Sequence, residues 1–81
     1  MPRLKESDEQ KATRILVDNI RMAQIRAKVR TVPELAKRTR IPQSTLYGRM
    51  AEPGTFRYGE LSRIARVLKT TVTQLVTEEA R

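Results

Sequence analysis

The stretch TVPELAKRTRIPQSTLYGRM, residues 31–50, decides the fold. Thr31 and Glu34 stand at the S/T-x-x-E/Q spacing that opens a helix. In that pattern the hydroxyl accepts an early backbone N–H and the acidic side chain reaches back. Pro33 falls in the first turn, where its missing N–H removes no helical hydrogen bond. Leu35 and Ala36 give this short helix, Val32 to about Arg38, an inward face, and Ile41 follows in a tight turn. A second short helix, about Gln43 to Ala51, is anchored by Leu46 and Met50 and stopped by Pro53-Gly54. Ala36 is small where the two helices must approach. The polar cluster Gln43, Ser44 and Thr45 opens the second helix directly after the turn.

Outward from this unit, apolar residues recur at spacings of three and four, which is the helical period. Ser7 with Gln10 and Thr71 with Gln74 repeat the start signal. The reading is an all-α, compact five-helix domain over residues 8–79, with an extended first helix from about Asp8 to Lys28. Residues 1–7 are expected to be a disordered arm. A fourth helix spans about Tyr58 to Lys69, with Leu61, Ile64, Ala65 and Leu68 as its buried stripe. A fifth spans Val72 to about Glu79, with Val72, Leu75 and Val76 facing inward. On the first helix, Leu16, Ile20, Ala23 and Ala27 make one face. Ile15, Met22, Ile25 and Val29 make a second stripe, which packs on the start of the second helix or on another molecule.

Charge is concentrated. The net formal charge is +8, and residues 21–66 hold eleven Lys or Arg against three Glu. A concentrated cationic surface attracts polyanions, nucleic acid first and anionic membrane second. With no cysteine there is no disulfide framework or thiolate metal site, which fits a reducing, intracellular setting. With no histidine the chain lacks the commonest general base and metal ligand. The only apolar run near the start, Ile15 to Val17, is too short for a signal sequence or a membrane span. No nucleophile–base pair, metal cluster or phosphate-cradling glycine loop is present, so an enzyme is disfavoured and no cofactor is implied.

ELAKRTRIPQSTLYGRM (34–50) followed by EPGTFRYGELSRIARVL (52–68) resembles the lambda-repressor/Cro-like helix-turn-helix family, also called the XRE family. The resemblance runs from about Ile20 to Val76 and leaves residues 1–14 outside it. It implies a helix-turn-helix DNA-binding domain, a recognition helix in the major groove, and a homodimer on a two-fold operator. Carried onto this chain, Gln43 and Ser44 fall where the family reads bases, with Tyr47 and Gly48 following on the outward face of the same helix. A Gln here can pair with adenine N6 and N7. Thr31 falls where the family touches phosphate through a hydroxyl or a helix N-terminus. Arg57 and Tyr58 fall near a second phosphate-contacting stretch, and Thr45, Arg49 and Thr55 are further backbone candidates. Small size and the Cro-like pattern imply a phage or mobile-element repressor or autoregulator in the bacterial cytoplasm or nucleoid, acting on double-stranded DNA and not at a membrane.

The chain departs from the family pattern in three places. Arg40 occupies a turn position that often holds Gly, so either the turn differs or Arg40 takes a strained positive φ. Gly48 lies inside the recognition helix, where it either permits close backbone approach to DNA or leaves that position unread. Leu46 and Met50 are spaced i, i+4 instead of i, i+3, which is expected to turn Arg49 outward. The alternative function is an antitoxin-like module that also binds DNA and meets a protein partner through the first helix. An RNA-binding role is weaker, because Tyr47, Phe56 and Tyr58 are the only stacking aromatics.

Overall fold

The computed structural model describes residues 6–78. Five α-helices and one 3₁₀ turn follow in order: α1 (Asp8–Ala27), α2 (Val32–Thr39), α3 (Gln43–Ala51), the 3₁₀ turn (Pro53–Thr55), α4 (Tyr58–Val67) and α5 (Val72–Val76). No strand occurs among the described residues. α1 packs along α5 and against the 3₁₀ turn; α2 packs on α3 and α4; α4 closes onto α5. The resulting core joins Leu16, Ile20 and Ala23 of α1 to Leu35, Ala36, Ile41 and Leu46, and to Leu61, Ile64, Ala65, Leu68 and Leu75.

Each start signal caps a helix, in two different ways. Ser7 and Gln10 form the full reciprocal box, with Ser7 Oγ accepting from the Gln10 N–H at 3.1 Å and Gln10 Oε1 accepting from the Ser7 N–H at 3.0 Å. Glu6 also bonds Arg14 through its carboxylate, so the last two residues of the expected disordered arm are held against α1. Residues 1–5 of that arm, and the expected end of α5 at Glu79, lie outside the described residues. Thr31 and Thr71 cap through the hydroxyl alone. Their partners bond elsewhere: Glu34 pairs with Arg38 at 3.2 Å, and Gln74 accepts from the Thr70 hydroxyl.

α1, α2 and α4 leave through left-handed residues, and all three are cations. Lys28 (φ 61°), Arg40 (φ 61°) and Lys69 (φ 58°) occupy this region, and no glycine does. After α1 the Val29 N–H reaches back to the Gln24 carbonyl and the Lys28 N–H to that of Ile25. This is the paired Schellman arrangement, and it turns Val29 into the core. α4 ends the same way, with Thr70 bonded to Ala65 and Lys69 to Arg66. Such a backbone costs a non-glycine residue roughly 1–2 kcal/mol. A cation at the negative end of the helix dipole offsets part of that cost.

Three expectations are corrected. α4 ends at Val67 and not at Lys69, because the left-handed Lys69 reverses the chain. α5 ends at Val76, because the Asn19 side chain takes its last carbonyls and Thr77 turns extended. Val76 faces outward, 50% exposed, since the short α5 has room for only Leu75 at the core, with Val72 beside it. The second stripe of α1 also splits. Val29 is buried by its turn, whereas Met22 and Ile25 remain 37% and 64% exposed.

Candidate nucleic-acid interface

α3 begins on Pro42, which has no side chain capable of capping. The first bond inward is Leu46 N–H to the Pro42 carbonyl, at 2.9 Å. The backbone N–H groups of Gln43, Ser44 and Thr45 therefore have no partner within the helix, and the positive end of the helix dipole is open there. Leu46, fully buried, anchors the opposite face. That single anchor fixes which side of α3 looks outward. Gln43, Ser44, Tyr47 and Gly48 are exposed together at spacings of one, four and five, one continuous face of the helix. The side chains of Gln43, Ser44 and Tyr47 make no hydrogen bond with any described residue, so their donors and acceptors are available to a ligand.

The neighbouring candidates divide. Thr31 Oγ1 accepts from the Glu34 N–H at 3.2 Å, which leaves its O–H free to donate to a phosphate oxygen. Tyr58 is 74% exposed at the start of α4, and the Arg57 side chain is exposed beside it. Thr45 is half-buried at the edge of the α3 face. Thr55 turns to local work, its hydroxyl donating to the Glu52 carbonyl at 2.6 Å to close the 3₁₀ turn. Arg49 does not face outward. Its guanidinium Nε donates to Glu60 Oε1 at 3.0 Å, with the two side chains only 25% and 15% exposed. The expectation from the i, i+4 spacing of Leu46 and Met50 is thus corrected: the Glu60 carboxylate on α4 holds the Arg49 guanidinium inward.

Glu60 is the residue that sequence reasoning missed. Its Oε1 also accepts the Arg57 N–H at 2.9 Å, so one carboxylate oxygen caps α4 and ties it to α3. An Arg57 guanidinium cannot accept a bond in return, so only half of a capping box forms. The legible signal was an acid three residues after the helix cap. Burial pushes the Glu60 carboxyl up, but the Arg57 N–H, the Arg49 hydrogen bond and the charges of Arg49 and Arg57 together hold it below the ordinary value. A carboxyl depressed by folding stabilises the fold above its unfolded pKa, about 4.3. That contribution is lost as pH falls through the lower, folded value. Urea midpoints measured from pH 6 down to 3 should therefore fall more steeply for the native chain than for Glu60→Gln. Parallel curves would disprove the assignment.

Arg21 and Arg30 were also missed. With Gln24, Ile25, Val32 and Tyr47 they line a shallow groove between α1 and the exposed face of α3. This places two more cations beside Tyr47. At Gly48 a Cβ would meet nothing within 4 Å. Gly48→Ala is therefore expected to stabilise α3 by roughly 1 kcal/mol, a rise in Tm of several degrees. A calorimetric Tm that fails to rise would show that α3 gains nothing there.

Among the described residues no cluster of His, Cys, Asp and Glu could hold a metal ion, and no helix is long and apolar enough to cross a membrane. No protein-family model matches the chain, and no curated protein or solved structure matches it either.

Proposed function

We propose that this chain is a sequence-specific double-stranded DNA-binding regulator of lambda-repressor/Cro-like (XRE) kind, a repressor or autoregulator of phage or mobile-element type in the bacterial cytoplasm or nucleoid. The observation that carries this reading is the outward face of α3. Gln43, Ser44 and Tyr47 stand there unbonded, at an uncapped helix N-terminus, on a chain of net charge +8. α3 enters the major groove by its first turn. Gln43 pairs with adenine and Ser44 bonds a neighbouring base edge. Gly48 leaves room for the backbone to approach. The Thr31 hydroxyl, Arg57 and Tyr58 bind phosphates on either side, and these contacts set register without reading sequence. A homodimer places two such helices about 34 Å apart on one duplex face.

The exposed Met22 and Ile25 support a second reading, an antitoxin-like module that binds DNA and a protein partner through α1. The discriminating experiment selects duplexes from a random pool and measures their binding by fluorescence anisotropy at low and moderate salt. The reading expects an enriched sequence whose binding survives added salt. Gln43→Ala should cut its preference over a shuffled duplex by about five- to 150-fold, the range of a lost bidentate base contact of about 1–3 kcal/mol. Equal binding to both duplexes that collapses with salt would leave only the electrostatic attraction and sink the reading.

A further inference from the structure

The groove between α1 and the exposed face of α3 holds a buried polar side chain that the fold itself does not use. Gln24 is only 6% exposed, and its amide makes no hydrogen bond with any described residue. Among the described residues no fully buried side-chain nitrogen or oxygen lacks a partner, so the amide reaches the surface. The surface it helps to line is this groove. Arg21 and Arg30 line it too, both exposed and neither with an acidic partner among the described residues. No acid lines the groove.

A buried amide left unbonded is costly to a fold, and an apolar side chain of similar shape would fill the same place without that cost. The groove gathers donors. Two guanidiniums, the Gln24 amide N–H and the Tyr47 O–H offer hydrogens, and no carboxylate is there to accept them. The complementary ligand offers acceptors and negative charge, as phosphate oxygens do. A phosphodiester carries no donor of its own, and its sugar edge would lie on the apolar part of the wall, Ile25 and Val32. Continuity says which phosphodiester. Tyr47 belongs both to the groove and to the outward face of α3, with Gln43 and Ser44. Arg30 directly precedes Thr31, whose hydroxyl is free to donate to a phosphate.

We propose that this groove seats the phosphodiester backbone of the duplex that α3 enters, with Arg21 and Arg30 neutralising phosphates and the Gln24 amide bonding one of them. The inference rests on the reading that α3 faces DNA, and it extends the backbone contact at Thr31 along α1. Contacts of this kind fix register and orientation and carry no sequence information of their own. Removing them therefore weakens binding to every duplex alike, whereas removing Gln43 changes which duplex is preferred.

Fluorescence anisotropy over a salt series tests this, with a selected duplex and a shuffled one. The groove variant combines Arg21→Gln and Arg30→Gln. A control combines Arg63→Gln and Arg66→Gln, which removes the same charge from exposed residues of α4 outside the groove. The groove variant should lose about 0.9 from the slope of log K against log salt for each phosphate released, about 1.8 in all. It should bind both duplexes more weakly and keep the native preference between them. The control should keep most of the native slope. Gln24→Met preserves the charge and much of the bulk. It should keep the slope and bind both duplexes about two- to twelvefold more weakly, the worth of one hydrogen bond. Urea titrations verify that each variant folds. Equal slope losses in the groove variant and the control would mean that overall charge alone counts, and would overturn the proposal. So would a native slope in the groove variant; if Gln43→Ala still removes the preference, the α3 reading survives that result. Unweakened binding by Gln24→Met would overturn the part assigned to the amide. A slope that falls in the groove variant alone, in a chain with no sequence preference, would remove base reading by α3 and leave the groove standing. A native chain that binds neither duplex would sink both.

Discussion

Leu46→Ala is expected to destabilise the domain by about 2–5 kcal/mol, the range for truncating a buried leucine. Leu46 is fully buried and is the one buried residue of α3. Half-buried Met50 packs beside it, but Met50 can slide into a gap that Leu46 fills. A domain of this size has a total stability near the lower end of about 5–15 kcal/mol, so the loss takes a large share of it. The damage should concentrate on α3, whose remaining links are the α2 packing, the 3₁₀ turn and the Arg49–Glu60 pair. Urea unfolding followed by far-ultraviolet circular dichroism would give the global loss. Amide exchange would show whether α3 opens first. A loss below about 1 kcal/mol would mean that α3 is not anchored as described. The functional consequence follows from the same residue: without Leu46, only half-buried Met50 and the Arg49–Glu60 pair hold the face of α3 that carries Gln43 and Ser44 outward.

Asn19→Asp should cost more than Asn19→Ala, although it is the closer replacement in shape. Asn19 takes the i+3 place in the buried stripe of Leu16, Ile20 and Ala23. Its Nδ2 donates toward the carbonyls of Gln74 at 3.2 Å, Leu75 at 2.9 Å and Thr77 at 2.8 Å. Two hydrogens thus serve three oxygens at the end of α5. Alanine removes the donor and leaves carbonyls unbonded in a buried place, a cost of about 1–3 kcal/mol. A carboxylate would instead set its own lone pairs against the three oxygens, with a charge that has left water. Its pKa would rise in the folded state. The destabilisation would then set in as pH rises past the unfolded pKa of about 3.9, be complete only above the raised folded value, and shrink at low pH as protonation restores a donor. Urea midpoints for both variants at pH 7 and pH 4, with exchange rates for the α5 amides, check this. Equal loss for both variants at pH 7 would contradict the three-carbonyl arrangement.

Much of the fold was legible because its signals are local. Ser7, Thr31 and Thr71 each cap a helix three residues before the N–H they bond. Gln43 and Ala51 bound α3 as expected, since Pro42 and the Pro53-Gly54 pair lie next to those ends in the chain. The inward stripe of α4 followed from spacing alone. The exposed set Gln43, Ser44, Tyr47 and Gly48 was legible for the same reason: once Leu46 is placed inward, helical geometry places the others outward.

Composition, capping and periodicity therefore determined that the chain is all-helical, where most helices begin, and which residues form most of the core. Those properties depend on neighbours within about one helical turn. Tertiary structure alone decided the rest. Arg49 turns inward because Glu60, eleven residues on, waits on α4. Asn19 ends α5 because packing brings a carbonyl from 56 residues away against its amide. Arg21, Gln24, Arg30 and Tyr47 become one groove only where α1 lies beside α3. Each of these rests on a partner distant in sequence, and local propensity carries no information about how the helices pack.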